Sequence, residues 1–343
     1  MYTTRSVSVP SLLRCVAATA ACVLGAASVS AAPLTVTLLG TGTPAPNPNR
    51  FGQSILVQAA DQNLLFDLGR GVTIRLNQIG IPFRKVDASF ITHMHSDHIN
   101  GLADLWMTGW VPTGYGSRTT PMVVYGPKGT VSMTEHLSKA YAENTRIRHA
   151  DEKVPLSGIE FDAHDIDAGP ADAYQPTLVY EKSGVRVLAF NSHHGDLIEP
   201  NFGYIVEFDG KKFVLSGDTT YDERVARAAE GSDVLVHEVA YFDPALFKNY
   251  PNYREIQAHH TTPQDAGRIF SRAKPKLAVY SHIIVRLAGK SLDNSTDILV
   301  EGTRETYDGP LAMGKDLMRF VIDQGKVTVI DDARAAAKAV KEG

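Results

Sequence analysis

The stretch His93-Met-His95-Ser-Asp97-His98, called the histidine stretch below, contains three of the 12 histidines of the chain. It follows residues 88–92, whose apolar and β-branched side chains predict a short strand. Imidazole nitrogens together with a carboxylate oxygen suit Zn²⁺ and also allow Mn²⁺ or iron. Four donors this close in sequence cannot all bind one ion well. The stretch therefore indicates two adjacent metal ions.

Further metal-binding side chains follow other predicted strands. They are His193 and His194, Asp218, His237 and Glu238, and His282. In α/β folds, ligands bind at the edge where strands end, so we expect these side chains to gather beside the histidine stretch. His260 differs, because it precedes a predicted helix over 263–272.

Strands and helices alternate along the chain, which predicts one α/β domain whose sheet is covered by helices. Strands are predicted over 34–39, 54–57, 63–66, 88–92, 121–125, 185–189, 204–208, 212–215, 234–236 and 277–280, and helices over 72–80, 131–142, 223–229 and 263–272. The polar stretch over 149–175 is predicted to be a loop-rich insertion.

Residues 1–31 have the features of a secretory signal. Two arginines precede an apolar run over 15–24, and small residues end the segment at Ala31. The run is too short to span a membrane. We expect cleavage after Ala31, which would leave a hydrolase domain over 32–343 in the periplasm or medium. The alternatives are a buried N-terminal helix and a lipid-modified Cys22.

Composition excludes several classes of protein. With 43% hydrophobic and 21% charged residues, the chain is neither disordered nor collagen-like. Its two cysteines, Cys15 and Cys22, lie in the predicted signal, which excludes a disulfide framework or a cysteine zinc module downstream. The formal net charge of -4 becomes -6 without the two arginines of the signal. Such a charge indicates no basic surface for nucleic acid.

Several motifs accompany the histidine stretch. They are Gly40-Thr-Gly-Thr-Pro44, Leu65-Phe-Asp-Leu-Gly-Arg-Gly71, Tyr125-Gly-Pro127, Phe202-Gly-Tyr204, Ser216-Gly-Asp-Thr219, His237-Glu238, His260-Thr-Thr262 and His282. Together they resemble the metallo-β-lactamase fold superfamily, in its ribonuclease Z and arylsulfatase-like branch. The resemblance covers nearly the whole mature chain. It implies a four-layer αββα sandwich with a dinuclear metal site at one edge.

The resemblance also implies roles for individual residues. The implied ligands are His93, His95 and His194 for one ion, Asp97, His98 and His282 for the other, and Asp218 as the bridge. His194 is preferred to His193 because the family places a His-Gly pair ahead of the Gly-Tyr strand. Asp97 and His260 are the predicted catalytic residues, and His260 would protonate the leaving oxygen.

These features predict a secreted, arylsulfatase-like hydrolase that cleaves sulfate or phosphate esters of small molecules. A hydroxide shared by two divalent ions, Zn²⁺ by preference and otherwise Mn²⁺ or iron, would attack the ester. Residues 307–318 resemble the tail of secreted arylsulfatase-like members. A nucleic-acid substrate and stable membrane insertion are not expected, whereas a homodimer is compatible with the sequence. The alternatives are a lactonase or other carboxyl-derivative hydrolase, a ribonuclease Z-type RNA endonuclease, and a non-hydrolytic iron oxygenase.

Overall fold

Two β-sheets face each other, and helices cover their outer faces. The computed structural model describes residue 1 and residues 32–289 and 296–335, so residues 2–31 of the predicted signal lie outside the described residues. The strands are β1 (Leu34–Gly40), β2 (Ser54–Ala59), β3 (Gln62–Phe66), β4 (Ala88–Phe90), β5 (Met122–Gly126), β6 (Phe161–Asp165), β7 (Thr177–Lys182), β8 (Val185–Asn191), β9 (Phe202–Phe208), β10 (Lys211–Leu215), β11 (Val234–Phe242), β12 (Leu277–Arg286), β13 (Leu311–Met313), β14 (Arg319–Asp323) and β15 (Lys326–Ile330). The α-helices are α1 (Val72–Gln78), α2 (Ser96–Ile99), α3 (Leu102–Trp110), α4 (Thr130–Ala140), α5 (Ala142–Glu152), α6 (Glu223–Ala228), α7 (Asn252–Ala258), α8 (Pro263–Ala273) and α9 (Asp297–Arg304). In the described ranges, none of them combines the length and apolar content that a membrane span requires.

The strand order brings the ends of the central strands to one edge of the sandwich. The first sheet has the order β15-β14-β1-β2-β3-β4-β5-β6, and the second has the order β13-β12-β11-β10-β9-β8-β7. Strands β3, β4, β5 and β6 run parallel to one another, as do strands β10, β11, β12 and β13. Loops that follow parallel strands leave a sheet at the same edge. The segments after β4 and β10 can therefore meet there.

The side chains of β3 show why the chain forms four layers. Leu64 and Phe66 point into the apolar core between the sheets, whereas Leu65 points into the core under the helices. Successive side chains of a strand alternate between its two faces. The Phe66 ring stacks on Phe90 with centroids 4.9 Å apart and meets Phe213 of the other sheet at 6.3 Å. Both faces of the sheet are buried, and the predicted αββα sandwich is confirmed.

The main difference from the prediction lies between residues 149 and 175. Helix α5 continues to Glu152, and β6 pairs with β5 as an edge strand, so the segment is not simply a loop. Each side chain of β6 is at least partly exposed, and the strand contains Asp162 and His164. Edge strands carry polar residues of this kind. Their weak apolar alternation explains why the sequence pattern missed β6, and β7 and β13 to β15 were missed as well.

Candidate metal centre

The histidine stretch leaves the first sheet at the end of β4 and turns into α2. Buried hydrogen bonds to the second sheet hold the start of this loop. The Tyr204 hydroxyl donates to the Ile91 carbonyl at 2.7 Å, and the Phe202 N–H donates to the Thr92 carbonyl at 3.0 Å. Because β9 supplies both donors, the loop is fixed between the two sheets.

Asp218 lies at the centre of the site, three residues after the end of β10. Its Oδ2 is 3.3 Å from Nε2 of both His98 and His282, 3.8 Å from that of His194 and 4.0 Å from that of His93. Ligands that lie about 2.0–2.2 Å from one zinc ion are roughly 3–3.5 Å from each other. The spacing around this carboxylate therefore fits shared ligation by metal ions.

The predicted ligands form two sets beside Asp218. Within each set, the ligand atoms all lie within 4.8 Å of one another. The sets are His93, His95 and His194, and Asp97, His98 and His282. In the first set, His194 Nε2 is 3.3 Å from His95 Nδ1, and in the second, His282 Nε2 is 3.0 Å from Asp97 Oδ2. The structure thus brings together all seven residues to which the sequence assigned a ligand role.

Buried atoms without partners show that this donor set suits metal ions. The Nε2 atoms of His93 and His98 are buried and have no hydrogen-bond partner among the described residues. Buried polar atoms are normally paired. Burial also lowers the pKa of His194 to about 3, so its imidazole is neutral, as a metal ligand must be. The residues present therefore fit a divalent metal site.

The charges of the site keep the central carboxylate ionised. Burial raises the pKa of Asp218, but His282 and His98 outweigh this effect and hold the pKa well below its usual value. An ionised carboxylate can accept bonds from both sides of the site. Asp218 is therefore suited to bridge two cations.

Asp67 is a functional residue that the sequence analysis did not single out. Its Oδ2 is 2.7 Å from His98 Nδ1. Thr92 donates to the same carboxylate from its N–H at 2.8 Å and from its hydroxyl at 3.0 Å. These bonds orient the His98 ring, so that Nε2 faces Asp218. The sequence signal that could have indicated Asp67 is its position directly after β3, the strand that pairs with β4.

Replacing Asp67 with Asn should weaken metal binding by about 10- to 100-fold, the usual effect of losing a group that orients a ligand. Asn tolerates the left-handed backbone at this position, where φ is 58°. Its single amide oxygen cannot accept all three of the bonds that the carboxylate accepts. Competition with a chelator measures the affinity. Asp209→Asn, in an exposed turn with φ of 47°, is the matched control. Equal affinities for the wild type and Asp67→Asn would contradict the role of Asp67.

A β-bulge presents His282 to the site. Glu238 pairs with Ser281 and Val239 pairs with Ile283, so His282 is the extra residue, with a φ of 44°. Bulges re-aim side chains beside active sites, and a positive φ is uncommon outside glycine. His282 and Glu238 were predicted to follow their strands, but both lie inside longer ones. Apolar residues continue past both positions, which explains the longer strands.

His260 lies beside the two ligand sets and is held by Glu238. Its Nδ1 is 3.2 Å from Glu238 Oε1, which also accepts bonds from the N–H groups of Thr261 at 2.9 Å and Thr219 at 3.2 Å. Burial lowers the pKa of His260, but the charge of Glu238 and the hydrogen bond to it raise the pKa to about 9. His193, in contrast, belongs to neither set and faces the exposed Asp196 at 3.8 Å.

The site opens into a cavity of about 470 Å³ with two unlike walls. The polar wall includes His95, Asp97, His194, Asp218, His260 and His282. The other wall, called the apolar wall below, consists of Phe242, Tyr253, Ile256 and Ile284, and Arg286 also lines the cavity. The cavity therefore places metal-binding groups, a proton-carrying histidine and an apolar surface around one space.

Comparisons with known proteins agree with this geometry. A family model described as "Beta-lactamase superfamily domain" matches residues 62–283. Ribonuclease Z of Mycobacterium bovis (strain BCG / Pasteur 1173P2) is 32% identical over 292 residues, which cover 84% of this chain and 98% of that protein. The metallo-β-lactamase fold protein YhfI from Bacillus subtilis is similar with a TM-score of 0.64, 18% identity and coverage of 84% of this chain and 99% of that one. The structure of human tRNase Z, short form, is similar with a TM-score of 0.59 and 22% identity. The match covers 83% of this chain and 98% of that one.

The comparisons correct the main functional prediction. An arylsulfatase-like function is wrong, because the relatives at 32% identity across most of the chain are named ribonuclease Z. The same names conflict with the expectation that nucleic acid is not a substrate. The site explains the error, because its donor set would suit a sulfate, phosphate or carboxyl ester alike.

The broader prediction of a hydrolase is confirmed. The matched domain spans the strands that supply Asp67, the histidine stretch, Asp218 and His282. The relatives cover the same region and extend beyond it on both sides. The chain belongs to the metallo-β-lactamase superfamily, in the branch that includes ribonuclease Z.

Proposed function

We propose that this chain is a metal-dependent phosphodiesterase that cleaves RNA, with two divalent ions, preferably Zn²⁺, in its site. The observation that carries the proposal is the position of Asp218, whose Oδ2 lies within 4.0 Å of histidines of both ligand sets, with His260 in the same cavity. The similarity to proteins named ribonuclease Z supports RNA as the substrate.

The chain's own residues would hold the ions and the phosphate between them. His93, His95 and His194 would hold one ion, Asp97, His98 and His282 the other, and Asp218 both. Such ions, when bound, lower the pKa of water toward neutrality and draw charge from a phosphate oxygen. Asp97 lines the cavity as well, so its carboxylate also faces the reacting groups.

His260 would carry the proton that the leaving oxygen needs. With Nδ1 donating to Glu238, Nε2 is the ring nitrogen left to give a proton to a departing ribose oxygen. Glu238 is itself held by the two backbone N–H donors of Thr219 and Thr261. Glu238 is therefore a positioning residue that sets the orientation of the His260 ring and keeps it protonated.

A panel of substrates tests this proposal. Purified, metal-loaded protein would be incubated with an RNA hairpin that carries a single-stranded 3′ extension, with DNA of the same sequence, and with a lactone, a cephalosporin and an aryl sulfate. We expect cleavage of the RNA. Asp218→Ala protein, purified in parallel, controls for a contaminating nuclease. An intact RNA together with rapid hydrolysis of the lactone or the cephalosporin would overturn the proposal.

Export of the protein remains a prediction from residues 1–31. The expected mature protein begins at Ala32, because the small residues before it fit a signal-peptidase site. The mass of the N-terminal peptide of protein from its native host measures this. A functional protein that retains Met1 would contradict export by cleavage.

A further inference from the structure

The apolar wall of the cavity is built by one short helix and the ends of two strands. Tyr253 and Ile256 lie three residues apart on α7 and therefore share one face of the helix. That face packs against Phe242 of β11 and Ile284 of β12, and the four side chains belong to one small apolar cluster. Phe242 and Ile284 are buried, whereas Tyr253 and Ile256 are only half-buried and line the cavity.

Aromatic rings are stacked in this wall. The Tyr253 ring lies 5.3 Å from the Phe242 ring at an interplanar angle of 52°. On the outer side, Tyr250 stacks on Tyr253 with centroids 5.1 Å apart and an angle of 21°. Tyr250 is 50% exposed and does not line the cavity. Tyr253 is thus held by contacts with two other rings and itself lines the cavity.

A phosphate group alone would make no favourable contact with the apolar wall. The polar wall supplies the groups that act on a phosphodiester, while the apolar wall offers rings and aliphatic side chains. A nucleotide presents both a charged phosphate and a planar base, and bases stack on aromatic side chains regardless of their identity. A cavity of about 470 Å³ lies in the range of small-ligand sites.

We propose that the apolar wall is a stacking subsite for the base of the nucleotide that keeps the departing oxygen, with Tyr253 as its main contact. This inference rests on the proposed function. We assign the base to the nucleotide with the departing oxygen because α7, which carries Tyr253, ends at Ala258, two residues before His260. The proposed proton donor and the two α7 residues of the apolar wall, Tyr253 and Ile256, therefore come from one continuous segment.

Abasic substrates test the subsite. Three RNAs would be compared. The first is intact, the second has an abasic residue on the side of the departing oxygen, and the third has an abasic residue on the other side of the scissile phosphate. Removing the base on the departing side should lower kcat/KM by about 5- to 100-fold, the size of one stacking interaction. Removing the base on the other side should have little effect. The end groups of the products identify the departing side.

Variants of the wall complete the test. On intact RNA, Tyr253→Ala should lose about as much kcat/KM as the abasic substitution, while Tyr253→Phe retains it. On the abasic RNA, Tyr253→Ala should add little further loss, because the two changes remove the same contact. Glu255→Ala, which is exposed on the same helix and does not line the cavity, is the matched control and should cleave intact RNA at the wild-type rate. Thermal unfolding of each variant separates a folding defect from lost binding.

The outcomes separate this inference from the proposed function. Wild-type enzyme that cleaves intact and abasic RNA equally well would overturn the subsite and leave the nuclease function standing. Additive losses for Tyr253→Ala and the abasic residue would also overturn it, because independent effects do not share a contact. Wild-type enzyme that holds its metal ions but cleaves no RNA would overturn both.

Discussion

Asp218→Ala is expected to lose the bound metal ions together and to reduce RNA cleavage by at least about 10³-fold, since metal ions contribute several kcal/mol to such reactions. Asp218 Oδ2 is 3.3 Å from Nε2 of both His98 and His282 and 3.8 Å from that of His194, so one carboxylate serves both sets. Elemental analysis of the purified variant, alongside a cleavage assay, measures both effects.

The control for this variant is Asp196→Ala. Asp196 lies in a loop near the same edge, but its side chain is almost fully exposed and faces only His193 among the described residues. It should keep its metal content and its activity. An Asp218→Ala protein that retains one tightly bound ion and most of its activity would contradict a shared carboxylate.

His260→Ala should lower RNA cleavage by about 10²–10⁴-fold, the usual contribution of a general acid. Its metal content should stay near that of the wild type, because His260 lies outside both predicted ligand sets. A ribose oxygen needs a proton to leave, whereas p-nitrophenolate hardly does. Activity on bis-p-nitrophenyl phosphate should therefore fall much less. Measuring both substrates and the metal content distinguishes a proton donor from a metal ligand.

His193→Ala is the matched control for His260→Ala, because its imidazole is near the site but in neither ligand set. It should cleave both substrates at nearly the wild-type rate. Equal losses on the two substrates by His260→Ala, or loss of metal, would reject the assignment of His260 as the proton donor.

Much of the site could be predicted because its residues follow strongly apolar strands. The histidine stretch follows β4, and Asp218 follows β10, whose residues Phe213 and Leu215 point into the core. Apolar residues at every second position locate a strand and show where along the chain it ends. The edge where the loops meet then follows from the parallel strands.

Other features depend on tertiary contacts that no local pattern shows. The edge strand β6 is half-exposed and polar, so its sequence resembles a loop. The bulge at His282 arises only from the pairing of β12 with β11. The role of Asp67 requires the neighbouring strand to bring His98 within 2.7 Å.

The nature of the substrate could not be predicted from net charge. The formal charge, -4 for the chain or -6 without the predicted signal, sums over all residues, whereas the cavity contains several histidines and Arg286. Local potential at a site, not the overall charge, governs how a charged substrate binds there. The acidic composition was therefore a poor argument against RNA.

Stepwise metal loading of the apoprotein tests whether RNA cleavage requires two metal ions. Metal would be removed with a chelator, Zn²⁺ added in increments, and bound ions and RNA cleavage measured in the same samples. Cleavage should appear as the content approaches about two ions per chain, and Asp218→Ala should stay inactive at the same Zn²⁺ concentration. Protein that binds two ions per chain and leaves the RNA intact would contradict the proposed function.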